Sequence, residues 1–247
     1  MNDIIGSNTG RRPARSAGTS LWLGNIGTVL AVAGSYGSGQ GFWPFTIGLL
    51  MVAVAFLFAG IGGLIGLFAL IRNGQGSGLG RRIAIGLLLC GVVLAGVGPW
   101  IYRGVSLPPI HDVTTDLSNP PAFAALPMRK DNLAGVESLD QWRELHRKAY
   151  SDIAPITLRM APDAAMARAQ TLVSARGWTI TPGAAGRLEA TDTVSPFKFK
   201  DDVVIVATPT ADGQLTIINM RSVSRVGASD FGINAKRIRE FLAELQK

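Results

Sequence analysis

Hydrophobic positions follow two regimes along the chain. Up to residue 103 they form long unbroken runs, and beyond it they alternate with polar residues or recur at helical spacing. The run WPFTIGLLMVAVAFLFAGIGGLIGLFALI (43–71) carries no charge and exceeds the ~20 residues needed to cross a bilayer core. The run IAIGLLLCGVVLAGVGPWIY (83–102) is also uncharged and about long enough. The first run, LWLGNIGTVLAVAGSY (21–36), is shorter and carries Asn25. It fits either an uncleaved span or a signal peptide, with Arg11, Arg12 and Arg15 before it and Ala31-Val32-Ala33 as a cleavage site. Pro13 follows the arginine pair, where a twin-arginine signal would have apolar residues. The favoured reading is a cytoplasmic segment, 1–20, followed by three transmembrane helices within 21–103.

After residue 103 the elements shorten. Residues 104–150 begin with a proline-rich stretch, GVSLPPIHDVTTDLSNPPAFAALPMRKDN, whose prolines predict an extended segment lying on a surface. ESLDQWRELHRKAY (137–150) predicts an amphipathic helix with Leu139, Trp142, Leu145 and Ala149 on its apolar stripe. Ser138 is the expected N-cap and Gln141 completes a capping box. His146 lies off the stripe and is expected in solvent. Residues 151–247 then read as one domain. A strand at 156–160 leads to a helix entered by Pro162 and left at Gly177. Strands follow at 178–181, 187–194, 197–208 and 214–226, with turns at 182–186 and 209–213. A terminal helix capped by Ser229 or Asp230 carries a stripe of Phe231, Ile238, Phe241, Leu242 and Leu245. The order β-α-β-β-β-β-α predicts an α+β domain, an antiparallel sheet with helices on one face. Such an order can form a helix-grip-like groove between sheet and helices, by analogy with other folds.

Charge changes the picture at one point. The chain of 247 residues carries a formal +7. Residues 1–103 hold seven of the 24 basic residues and one acid, Asp3, whereas 104–247 are nearly balanced. The excess therefore flanks the apolar runs. If all three runs cross, Arg11, Arg12, Arg15, Arg72, Arg81 and Arg82 fall on the cytoplasmic side, as the positive-inside rule requires. Everything after Arg103 is then exported, which in a bacterium places it in the periplasm and the anchor in the inner membrane. The balanced C-terminal half has no electrostatic footprint for nucleic acid.

Candidate chemistry is sparse. The three spans contain no Asp, Glu, Lys, Arg or His, which argues against an ion or proton pathway. Gly62 and Gly66 stand at GxxxG spacing, which suits helix association but is also ordinary for membrane helices. The single cysteine, Cys90, excludes an intramolecular disulfide and a cysteine-rich zinc site, and reads as a small buried apolar residue. His111, Asp112 and Asp116 include metal-ligand types, but the spacing has no metal signature and suits turn capping. There is no G-x-S-x-G, no HExxH and no phosphate loop, so nothing points to a catalytic constellation or a cofactor.

The stretch RSVSRVGASDFGINAKRIREFL (221–242) offers the one candidate binding set: Arg221, Arg225 and Asp230. Two arginines on a strand before a helix N-terminus could hold an anion. Four residues of strand separate them by about 13 Å, too far to share one phosphate, and Asp230 occupies the place an anion would take. Pairing Thr208 with Gln214 puts Asp201 opposite Arg221 and Phe197 opposite Arg225, a salt bridge and a ring contact. RSVSRVGASDFGINAKRI, with FKDDVVI, PPIHDVTTD, NPPAF and AYSDIAP, resembles an uncharacterised bacterial family, domain of unknown function number 1499, with relatives encoded in plant genomes. The resemblance covers most of 107–247, and the preceding spans match a membrane-anchored subset. It implies no activity, cofactor or catalytic residue. The expected function is a non-enzymatic, membrane-anchored periplasmic module that binds an envelope partner protein. The alternatives are a small-molecule or lipid-binding domain using the groove and, behind it, an enzyme.

Overall fold

The computed structural model describes residues 15–73, 78–183 and 186–247. Arg11, Arg12, part of the second loop and the middle of the 182–186 turn lie outside them. The chain divides into two compact units, Met1–Pro99 and Trp100–Lys247.

The first unit is helical. Helix α1 (Arg15–Val32) runs into a π-helical turn (Ala33–Gly37), followed by α2 (Phe45–Asn73) and the first part of α3 (Gly78–Ser106). Among the described residues, two helices are long and apolar enough to cross a membrane, Phe45–Arg72 and Gly80–Ser106. Helix α1 does not reach that standard, so two of the three expected transmembrane helices have the length and hydropathy of a span. The reason is composition, since Ser16, Thr19, Ser20, Asn25 and Thr28 interrupt it. Its polar side chains are partly hidden within the helix. Thr19 donates to Arg15 O at 3.0 Å, Asn25 to Leu21 O at 2.8 Å and Thr28 to Gly24 O at 2.8 Å.

Small residues set the helix packing. A Cβ on Gly66 would lie 2.6 Å from Ser20 Oγ and 2.8 Å from Leu87, and one on Gly62 2.9 Å from Leu23 Cβ. The GxxxG pair is therefore filled by contacts inside this chain.

The second unit contains β1 (Asp112–Thr114), α4 (Leu139–Ala149), β2 (Ile156–Leu158), α5 (Pro162–Ala175), β3 (Thr179–Thr181), β4 (Arg187–Val194), β5 (Phe199–Pro209), β6 (Thr216–Ser224) and α6 (Ile233–Leu245). All strand pairs are antiparallel, in the order β1-β6-β5-β4-β3, and β2 pairs with β6 beside β1. The expected α+β architecture holds, with β1 and α4 added at the front.

One sheet face carries Leu188, Ala190, Val203, Ile205, Ala207, Ile218 and Met220, packed against Ala165, Ala169 and Val173 of α5 and Ile238, Phe241 and Leu245 of α6. These side chains are all buried, so the space where a helix-grip groove was expected is filled by core packing. The other sheet face is covered by a strap running from Asp116 to Val136.

The proline-rich stretch departs from expectation. Residues 110–115 are buried, and β1 joins the sheet with Val113 opposite Ser222. β1 and β2 together line the free edge of β6. The outward backbone groups of β1 are capped by α4, because Trp142 Nε1 donates to Asp112 O at 2.9 Å and Thr114 N donates to His146 Nε2 at 3.1 Å. That protects an edge strand from further pairing. His146 is thus buried, contrary to its expected place in solvent. The inward face of the helix is Trp142, His146 and Tyr150, while Leu139 is exposed. Burial holds the His146 pKa down to about 4, consistent with a neutral ring that accepts the Thr114 N–H. Ser138 caps α4 as expected, accepting Gln141 N at 3.2 Å, and Gln141 reaches back to Glu137 N.

Candidate functional site

Arg221 projects from the strap-side face of β6. Its Nε and Nη2 donate to Asp112 Oδ1 and Oδ2 at 2.9 and 2.6 Å, and its Nη1 donates to Pro121 O at 3.2 Å. Asp112 also accepts from Asn132 Nδ2 at 2.6 Å. The predicted partner was Asp201. The hairpin is tighter than assumed in one place and longer in another: Thr210 N donates to Leu215 O, and Gln214 N donates to Asp212 Oδ1, drawing Gln214 and Leu215 into the turn. Thr208 therefore faces Ile217, and Arg221 faces Val204. An odd slip moves a side chain to the opposite face, so Asp201 points toward α6 instead.

Arg225 was expected over Phe197. It grips Asp202 with Nε and Nη2, each at 2.8 Å, and donates to Thr191 Oγ1 at 3.1 Å. Phe197 stacks on Phe199, with centroids 5.1 Å apart. The bond to Asp202 raises the Arg225 pKa. Beside this pair, Phe123, Pro127, Met128, Arg129, Asp202 and Arg225 border a depression of about 10 Å³, room for about one water.

Asp230 does occupy the start of the terminal helix. Its Oδ1 accepts Gly232 N at 2.9 Å and its Oδ2 accepts Asn234 N at 2.6 Å, although the N-cap itself is Gly232, with φ 78°. Burial pushes the carboxyl up to about 6, against these two N–H bonds, which lower it. The three predicted residues do not converge: Arg221 and Arg225 each close on a separate carboxylate, and Asp230 serves the helix.

His111, Asp112 and Asp116 are likewise dispersed. Asp112 holds Arg221, Asp116 Oδ1 accepts Ser118 N and Asn119 N at 2.9 Å each, and His111 Nδ1 lies 3.3 Å from Ala228 O. His111 is buried, and burial is the main cause lowering its pKa.

Two buried polar centres were missed. Arg237 of α6, with a side chain 4% exposed, donates to Asp192 Oδ2 at 2.8 Å, Asp201 Oδ2 at 2.7 Å and Ser222 Oγ at 3.0 Å, and also contacts Asn234 Oδ1. Its signal was present, since Asn234, Arg237, Phe241 and Leu245 share one helical face. Glu189 of β4 is fully buried and accepts three consecutive backbone N–H groups, from Ala124, Ala125 and Leu126, at 2.6, 3.0 and 2.8 Å. Nothing local marks Glu189, because its partners lie over sixty residues away.

The strap is where these groups act together. Pro121 O is held by Arg221, Ala122 O by Arg187, the next N–H groups by Glu189, and Arg129 Nη1 donates to Ser224 O and Gly227 O at 3.1 and 2.8 Å. Pro120 to Met128 is an uninterrupted apolar sequence, and Ala122, Ala124, Ala125, Pro127 and Met128 face solvent. The charged groups thus fix a backbone and leave these five apolar side chains outward, while Pro121 is buried beneath.

No curated protein and no solved structure matches the chain. The family described as "Protein of unknown function (DUF1499)" matches residues 112–245, from β1 through the last turn of α6 and over more than half of the sequence. The matched segment thus starts at the edge strand rather than at β2, and the chain belongs to the DUF1499 family.

Proposed function

We propose that the protein is a membrane-anchored, non-enzymatic binding module that presents the strap, residues 120–128, to a partner protein of the cell envelope. The observation that carries this reading is the pinned apolar strap. Glu189, Arg187 and Arg221 hold its backbone, so a partner would meet a surface already ordered. In this reading all three helices cross the inner membrane of a bacterium, with the N-terminus cytoplasmic and residues 104–247 periplasmic. Support comes from Trp22, Ile26, Val29 and Tyr36, large apolar residues exposed along α1 and its continuation, and from the arginines of the N-terminal segment and second loop.

The test is site-specific photocrosslinking in cells. A benzoylphenylalanine at Ala125 is expected to capture a discrete protein, and one at exposed Gln170 on α5 is not. Glu189→Ala should abolish the crosslink while the protein stays in the membrane. Equal labelling from both positions would refute the strap as the binding surface. An alkaline phosphatase fusion at the C-terminus, expected to be active, checks the topology independently.

A further inference from the structure

The last turns of α3 within the second unit, Trp100–Ser106, carry Trp100, Tyr102 and Arg103, residue types that settle at a membrane interface. The Arg103 guanidinium lies 5.4 Å from the Trp100 ring centroid. Within the same unit, Trp100 meets Phe231 edge-on with centroids 6.4 Å apart. A Cβ on Gly104 would lie 2.9 Å from Phe231 Cε1, and one on Gly232 2.8 Å from Leu107 Cδ1. The 225–232 loop is therefore packed against Trp100, Gly104 and Leu107 of the same unit.

The sheet ends at this loop. Arg225 N donates to Lys200 O at 3.0 Å, which places the start of β5 beside the end of β6. Val105 and Val226 are exposed here, at 81% and 38%. Arg225 is neutralised by Asp202, and Arg129 by Asp131. Lys130 follows Arg129, which is bonded to Gly227 O. Among the described residues, exposed Arg103, Lys130 and Lys200 have no carboxylate partner. This end combines interfacial aromatics, exposed apolar side chains and uncompensated positive charge.

We propose that this end of the second unit, the 225–232 loop with Lys130 and Lys200, rests on the anionic phospholipid headgroups of the bilayer that α3 crosses. The proposal rests on the membrane reading above. Positive side chains within a Debye length of an anionic surface are drawn to it, and valine side chains enter the headgroup boundary. The β5–β6 hairpin tip lies at the far end of β6, about 26 Å away at the rise of a strand, and serves as the remote position for comparison.

The experiment uses the full chain with Cys90→Ser and one introduced cysteine bearing an environment-sensitive fluorophore, reconstituted into phosphatidylcholine vesicles with or without about 30% phosphatidylglycerol. Headgroup spin-labelled lipid is expected to quench the Val226→Cys label at least about twofold more than an Ala211→Cys label at the hairpin tip, and more in anionic vesicles than in neutral ones. Lys130→Gln with Lys200→Gln should remove the anionic increment. Equal quenching at 226 and 211 overturns the docking, and quenching at 226 that ignores lipid charge overturns the anionic assignment. A Leu57→Cys label on the exposed face of α2, read with acyl-chain spin labels, separates the two failures. If it too is unquenched, the membrane reading has failed. If it is quenched and 226 is not, only the docking has.

Discussion

Arg221→Ala tests the structural role of the residue that sequence reasoning placed in a binding site. The side chains of Asp112 and Arg221 are 2% and 12% exposed, so the pair is shielded from solvent. Truncating Arg221 leaves the Asp112 carboxylate with only Asn132 Nδ2 and leaves Pro121 O without its donor. Breaking a buried pair this way costs about 3–5 kcal/mol. In a unit of this size each kcal/mol lowers the melting temperature by roughly 2–4 °C, so a fall of about 6–20 °C is expected. The assay is thermal unfolding followed by tryptophan fluorescence, run as two double-mutant cycles. Arg221→Ala with Asp112→Ala should be less harmful than the sum of the singles, with a coupling of about 0.5–3 kcal/mol. Arg221→Ala with Asp201→Ala should be additive within about 0.5 kcal/mol, since Asp201 lies on the other sheet face with Arg237. Coupling to Asp201, or additivity with Asp112, would refute the register and the argument built on it. Function lost with no change in melting temperature would return Arg221 to ligand binding.

Three further outcomes are expected. The pKa of His146 is about 4 in the fold and near 6.5 in the unfolded chain, so the unfolded state takes up the proton first as pH falls. The His146 contribution to stability is then full above 6.5 and lost progressively down to pH 4, by about 3 kcal/mol. His146→Gln, which can still accept the Thr114 N–H, should remove that loss from urea-midpoint profiles, leaving the parts due to His111 and to Asp230, whose raised carboxyl pKa favours the fold as pH falls through about 6. Glu189→Ala should speed hydrogen exchange at Ala124, Ala125 and Leu126 by at least about tenfold, because each loses a charge-assisted bond; unchanged protection would show the strap is held by other contacts. A 104–247 fragment should unfold cooperatively, whereas 151–247 should not, because it lacks β1 and the α4 side chains that cap it; cooperative unfolding of the shorter fragment would contradict the placement of β1.

Local periodicity by itself determined the apolar helices, the order of the last five strands and two helices, and the caps at Ser138 and Pro162. These depend on residues within a few positions of one another, and the chain encodes them as runs, alternation and punctuation. Asp230 was also legible, because a carboxylate two to four residues from the amides it accepts is a local fact. Which carboxylate meets which arginine was decided by tertiary structure. Pairing depends on register, and the absorption of Gln214 and Leu215 into a turn sent Asp201 to Arg237 and left Arg221 to Asp112, more than a hundred residues away. The same holds for β1, a three-residue strand that no periodicity can announce, and for His146 and Glu189, whose burial follows from what lies above them. A polar side chain enters a core only where distant backbone groups need it, and those groups are brought to it by folding.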